Sequence, residues 1–178
     1  GDSLWTTPLF EGMGYESVGY AATFQSDSTI LAVGGVVIPG AYVEVFLVQL
    51  DTTGQVLWTQ LYGSANDDYG RSIDIAPDVA IYIGGDTRNY PGPDKDDYVL
   101  KTDADGNYLW HVSPGTAYDD PSAHVCALPD NGVLYVGAFI NYEIGSASYS
   151  RLYARRYAPG GALVWDRKYG PTLFVQEL

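Results

Sequence analysis

The residues with the clearest chemical potential in this chain are aspartates on a turn. Asp103-Ala-Asp105-Gly106-Asn107 holds two carboxylates close together, as the start of a calcium loop does. The corresponding turns elsewhere read Asp-Thr-Thr-Gly and Ala-Pro-Gly-Gly, and no glutamate follows at the spacing that an EF-hand requires. Aspartate and glycine also favour such turns without any ion. We therefore expect no metal and no cofactor here.

Asp74 and His124 lie at alternating polar positions of two corresponding strands, where they could face one cavity and act as a general acid–base pair. No activated nucleophile stands at a recurring position, so we expect water-facing residues and no enzyme. The single cysteine, Cys126, permits no internal disulfide and lies in an apolar run, which predicts a buried side chain.

The elements that must position these residues come from an internal repeat. The pattern Gly-x-x-(Leu/Val)-Trp ends at Trp5, Trp58, Trp110 and Trp165, with intervals of 53, 52 and 55 residues. A period near 50 residues is typical of stacked supersecondary units that cannot bury their faces alone. We predict that Trp58, Trp110 and Trp165 pack each unit against its neighbour.

Each repeat contains four short strand patterns separated by turn signals, and no segment of helical period is long enough to matter. This predicts an all-β, β-propeller-like stack of four-stranded antiparallel blades. One domain, 1–178, would hold blades at about 13–63, 64–115 and 116–170. A single edge strand would follow at each end, at 4–10 and 172–178.

The third and fourth strands of the repeats carry a recognisable consensus. Phe46-Leu-Val-Gln-Leu-Asp51-Thr-Thr-Gly54-Gln-Val-Leu-Trp58 and Asp97-Tyr-Val-Leu-Lys-Thr-Asp103-Ala-Asp-Gly106-Asn-Tyr-Leu-Trp110 share it, and the third copy departs from it at Ala158. The chain thereby resembles the β-propeller repeats of secreted and cell-surface bacterial proteins, which have blades of about 52 residues. The resemblance implies an extracellular or cell-surface location and leaves the function open.

Charge narrows the choice of partners. The net charge is -13, and the first 120 residues carry 18 acids against 4 bases, whereas the remainder carries 4 acids and 5 bases. Nucleic acid needs a basic surface, and no apolar stretch is long enough to span a membrane, so we expect neither nucleic-acid binding nor membrane insertion. An acidic body with a near-neutral end suits a head-to-tail contact between copies.

The third strand of the last repeat, Tyr149 to Tyr157, is unusually rich in arginine and tyrosine, which are enriched at protein interfaces. We predict a non-enzymatic extracellular scaffold that self-associates, as a ring or a filament, through its edge strands and third blade. An ordinary solvated strand with internal ion pairs is the competing interpretation of this segment. The predicted interface residues are Leu4, Trp5, Arg151, Tyr153, Arg155, Arg156, Leu173 and Phe174.

Sugar binding is the alternative function. The chain has 16 tyrosines, and the loop from Thr87 to Pro93 places Tyr90 beside the amide of Asn89. Sugars stack on aromatic faces while polar side chains bond their hydroxyl groups. A carbohydrate-binding propeller would therefore have glycans, rather than copies of itself, as partners.

Overall fold

The computed structural model describes residues 9–10, 16–40, 42–87, 95–113, 124–144 and 147–169, with no side chains described for 139–144 and 147–151. This part of the chain is built from strands and turns, and it forms three separate four-stranded antiparallel sheets. The all-β prediction with four strands in each repeat is therefore confirmed. The predicted edge residues Leu4, Trp5, Leu173 and Phe174 lie outside the described residues.

Within each sheet the strands follow one another in chain order. The first sheet contains β1 (Glu16–Phe24), β2 (Thr29–Val37), β3 (Val43–Asp51) and β4 (Val56–Tyr62). The second contains β5 (Asp68–Ile75), β6 (Ile81–Thr87), β7 (Asp96–Thr102) and β8 (Tyr108–Val112). The third contains β9 (His124–Ala127), β10 (Val133–Ile144), β11 (Ala147–Tyr157) and β12 (Leu163–Tyr169).

The turns between third and fourth strands explain the repeated Asp-x-x-Gly pattern. Asp51 accepts the backbone N–H groups of Thr53 and Gln55 at 2.8 and 2.9 Å, which fixes the turn from inside. Gly54 closes it in the left-handed region, at φ 86°. A side chain would be strained there, so glycine is the residue of choice.

Glycines in the second strands allow close approach to the first strands. A Cβ added at Gly34 would lie 2.0 Å from the carbonyl oxygen of Val18, and one at Gly85 would lie 2.0 Å from that of Tyr69. Any side chain at these two positions would collide with backbone. Close approach of the neighbouring strand of the same sheet therefore explains why glycine occupies both positions.

The three sheets pack face to face in chain order through two apolar cores. Leu31, Val33 and Leu47 of the first sheet meet Ile81 and Ile83 of the second, and all five are fully buried. The opposite face of the second sheet packs on the third, in a second core that contains Tyr82, Val99, Val133, Tyr135 and Tyr153. No sheet can exclude water from both faces alone, so stacking supplies the core.

Candidate functional site

The two joints between sheets share one arrangement, in which a tryptophan of one sheet covers a turn glycine of the next. A Cβ added at Gly106 would lie 3.1 Å from Cζ3 of Trp58, and a Cβ added at Gly161 would lie 3.1 Å from Cδ2 of Trp110. Both glycines are left-handed, at φ 80° and 86°. Each indole therefore lies directly on the backbone of the neighbouring hairpin turn.

Hydrogen bonds to turn carbonyls reinforce this arrangement. Gln25 donates from Nε2 to the carbonyl of Ala104 at 3.0 Å across the first joint. Across the second joint, Trp110 Nε1 and Lys101 Nζ both donate to the carbonyl of Pro159, at 2.9 and 3.2 Å. Ala104 and Pro159 occupy the same position in their turns. A turn of the next sheet is thus recognised by shape and by its carbonyl group.

Asp74, one of the two residues of the possible acid–base pair, links the first strands of the second and third sheets. Asp74 Oδ2 accepts the backbone N–H of Ala127 at 2.7 Å, and Ser72 Oγ accepts that of Val125 at 3.1 Å. His124 is exposed on β9. The Asp74 carboxylate therefore joins β5 to β9, a structural role that needs no catalytic partner.

Two of the predicted interface residues lie inside the protein. Tyr153 is 1% exposed, and its hydroxyl lies 2.8 Å from that of Tyr135. Arg155 is 7% exposed, contacts the Tyr153 ring at 4.5 Å, and donates from Nε to Asp166 Oδ2 at 3.1 Å. The Arg155 charge is therefore matched by a carboxylate of the adjacent strand β12.

Arg156 belongs to the other face of the third sheet. Its guanidinium donates to the carboxylate of Asp130. The Gly132 N–H and then Arg156 hold the pKa of Asp130 below its usual value. Arg156 is paired in register with Trp165. Leu152, which lies four residues earlier on the same side of β11, is 49% exposed. Arg151 pairs in register with Phe139, and its side chain is not described.

We use the name open face for this side of the third sheet, which no described sheet covers. Its half-buried or exposed members include an indole and several aliphatic side chains. They are Leu134, Val136, Ala138, Leu152, Trp165 and Tyr169. An apolar sheet face of this kind is a normal site for another protein surface.

Cys126 also lies on the open face, and its predicted burial is wrong. The thiol is exposed, and Cys126 is paired in register with Leu134. The apolar neighbours in sequence indicated a core strand, but β9 is the first strand of a sheet that packs on one side only in the described structure. Alternation along the strand places Cys126 on the uncovered side.

In the aspartate turn that resembles a calcium loop, both oxygens of the Asp103 carboxylate accept hydrogen bonds from the turn itself. Asp103 Oδ1 accepts the N–H groups of Asp105 and Asn107 at 3.0 and 2.8 Å, and Oδ2 accepts Nδ2 of Asn107 at 2.8 Å. The Asn107 side chain, followed by these N–H groups, lowers the pKa of Asp103. Among the described residues, no group of three or more His, Cys, Asp and Glu side chains converges as a metal site would require.

Comparison with known proteins gives limited similarity. No family model matches the chain. An alignment over 107 residues, which covers 53% of the chain, shows 29% identity to the "Regulatory protein FlaEY" of Caulobacter vibrioides. The matched part is 11% of that protein, so this chain corresponds to a small portion of a much longer relative. In the part of the chain that the structure describes, no helix is long and apolar enough to cross a membrane.

Proposed function

We propose that this chain is a non-enzymatic scaffold of the β-propeller type that self-associates through the open face of its third sheet. The partner is a neighbouring copy, which supplies the next four-stranded sheet of the stack. The observation that carries this proposal is a difference in burial between register-equivalent faces. The same face is covered in the first and second sheets and uncovered in the third.

Three equivalent positions make the difference quantitative. Val45, Asp97 and Leu152 occupy the same register in β3, β7 and β11, and they are 1%, 0% and 49% exposed. Covering a large aliphatic side chain completely stabilises an interface by about 1.5–3 kcal/mol. Leu152 therefore retains roughly half of that free energy for an incoming partner, and the other aliphatic residues of the open face add to it.

The open face also carries donors in the positions that recognise a turn at the second joint. Trp165 and Arg156 are equivalent to Trp110 and Lys101, which both donate to the Pro159 carbonyl. We infer that an incoming sheet places a hairpin turn over the Trp165 indole. Its carbonyl would then accept a hydrogen bond from this pair.

Charge favours a head-to-tail contact over a contact between two identical faces. The first 120 residues carry most of the acidic groups, whereas the rest of the chain has a slight excess of bases. Arg167 is exposed on β12 and lies on the side of the open face, because it pairs in register with Ala154. A heterologous contact produces a ring if its rotation closes and a filament if it does not.

The proposed location and the non-enzymatic role are argued from similarity and from the carboxylates. The sequence resemblance to secreted bacterial propeller repeats favours an extracellular or cell-surface site. The similar protein FlaEY is named for regulation and not for a reaction, which is in keeping with a non-enzymatic role. In the described residues, Asp74 and Asp103, the carboxylates with the most obvious chemical potential, are engaged in structural hydrogen bonds.

The test is the mass of the particle in solution, measured by light scattering for the native chain and two variants. Leu152→Glu places a charge on the open face, and Leu109→Glu is the matched control, because Leu109 is 50% exposed on β8 of the second sheet. We expect the native chain and Leu109→Glu to exceed the monomer mass of 19.3 kDa, and Leu152→Glu to be monomeric. A monomeric native chain, or equal masses for both variants, contradicts the proposal.

A further inference from the structure

A groove lies between the first two sheets, apart from the open face. Its volume is about 540 Å³, within the range of small-molecule sites. Leu61 and Tyr62 of β4 form one wall, and Tyr108 and His111 of β8 form part of the other. Leu61 is 40% exposed and Tyr108 is 57% exposed, so the mouth presents apolar and aromatic surface to solvent.

Two buried polar groups lie deeper in this groove. Asp68 is 6% exposed, and its Oδ2 accepts the N–H of Ser64 at 2.7 Å. Tyr98 is 7% exposed, and its hydroxyl has no hydrogen-bond partner among the described residues. Both side chains line the groove. A buried hydroxyl without a partner is unfavourable for folding, so this group is expected to have a use.

Comparison of the three sheets shows that this hydroxyl is a local feature. Phe46, Tyr98 and Tyr153 are register-equivalent, each opposite a glycine of the second strand. Phe46 has no hydroxyl, and the hydroxyl of Tyr153 pairs with that of Tyr135. The residue of the second sheet equivalent to Tyr135 is Ile83, which offers no partner. Only in the second sheet is the hydroxyl left for a group that enters the groove.

We propose that this groove binds a neutral sugar ring, with one sugar hydroxyl accepting from the Tyr98 hydroxyl and donating to the Asp68 carboxylate. A hydroxyl can accept and donate at once, whereas an ammonium group can only donate. An anion would be repelled by Asp68 and by the acidic character of the chain. The aromatic walls suit the C–H face of a sugar ring.

The protonation state of the Tyr98 hydroxyl, deep in the groove, agrees with its role as a donor. Burial, followed by the charge of Asp68, raises the pKa of Tyr98 well above its usual value. The Tyr98 hydroxyl therefore remains a donor at neutral pH. At the mouth, the Tyr108 hydroxyl lies 3.0 Å from Nδ1 of His111, which orients both rings. The groove thus combines a fixed donor, a fixed acceptor and aromatic walls.

The experiment is calorimetric titration of the full chain with D-glucose, D-galactose, D-mannose and N-acetyl-D-glucosamine, each alone. Choline and D-glucuronate are the cationic and anionic probes. Tyr98→Phe removes only the floor hydroxyl, and Asp68→Asn keeps an acceptor for Ser64 while removing the charge. Tyr82→Phe is the matched control, because it removes the hydroxyl of a buried tyrosine that lies at the second joint.

We expect one sugar per chain, with a dissociation constant on the order of 1 mM for at least one of the four sugars. Tyr98→Phe and Asp68→Asn should each weaken it about 3- to 10-fold, the loss expected for one hydrogen bond, and Tyr82→Phe should leave it unchanged. Absence of saturable sugar binding, tighter binding of choline or glucuronate, or unchanged affinity in Tyr98→Phe would each overturn the proposal. Because association uses the open face, either proposal can fail without the other.

Discussion

The same substitution, tyrosine to phenylalanine, should have opposite effects on stability at two buried positions. Tyr82 and Tyr98 are 0% and 7% exposed, and each packs in a core between two sheets. The Tyr82 hydroxyl donates to the carbonyl of Asn131 at 2.7 Å, across the second joint. The Tyr98 hydroxyl is buried without a partner in the described structure. Both substitutions remove one oxygen atom and leave the ring, so packing changes little.

The expected magnitudes follow from these surroundings. Tyr82→Phe loses a hydrogen bond and leaves the Asn131 carbonyl without that donor, which should lower the free energy of unfolding by about 1–1.5 kcal/mol. Tyr98→Phe removes a buried hydroxyl that gains nothing from folding, and it should raise the free energy of unfolding by about 1 kcal/mol. The two variants should therefore differ by about 2 kcal/mol.

Urea denaturation in sugar-free buffer measures both values, with equal slopes required before the midpoints are compared. In a chain of 178 residues, 1 kcal/mol corresponds to a change in melting temperature of about 2–4 °C, so the difference is also visible by calorimetry. Shifts of the same sign in both variants would refute this account of the two hydroxyl groups. Destabilisation by Tyr98→Phe would show that its hydroxyl has a partner in the folded protein.

Two further predictions concern the hairpin turns. Gly106→Ala should cost more than Gly40→Ala, because both positions are left-handed, at φ 80° and 78°, but only at Gly106 would a Cβ meet Trp58 and Gln60. We expect about 1 kcal/mol for Gly40→Ala and at least about 2 kcal/mol for Gly106→Ala, and equal costs by urea denaturation would exclude the contact. Asn107→Ala should raise the pKa of Asp103, which its side chain lowers most, as read by NMR titration of the carboxylate. Because the pKa of Asp103 is lower in the folded than in the unfolded chain, its hydrogen bonds stabilise the fold above about pH 4, and this stabilisation is lost as pH falls through the folded pKa. An unchanged pKa of Asp103 in Asn107→Ala would contradict the assignment.

The fold was largely predictable because each element of the repeat has a local sequence signal. Aspartate and glycine mark the turns, β-branched residues alternate along the strands, and the tryptophan spacing sets the unit length. The four strands predicted in each repeat are observed as three four-stranded antiparallel sheets. Strand β9 shows the limit of such patterns. Burial of Cys126 was expected from its apolar neighbours, but Cys126 is two residues from the exposed His124 and therefore shares its side of the strand.

The candidate sites were much less predictable, since they depend on which partners meet. Arg155 occupies the register position that the apolar residues Val48 and Leu100 hold in the other two sheets. Its carboxylate partner, Asp166, could be identified only once β11 and β12 were paired. Nothing in the sequence distinguishes Tyr98 from the other 15 tyrosines. A comparison of each inward position across the three repeats would have been the available signal.

That comparison also explains how a repeated frame can support two separate sites. Gln49, Lys101 and Arg156 occupy one register position, opposite the tryptophans of β4, β8 and β12. Lys101 donates to a turn of the next sheet, whereas Arg156 lies on the open face. The backbone arrangement is the same at each joint, so side chains at equivalent positions can differ between repeats and serve different contacts. Association is expected where the frame ends uncovered, and ligand binding where one buried hydroxyl lacks the partner that its equivalent has.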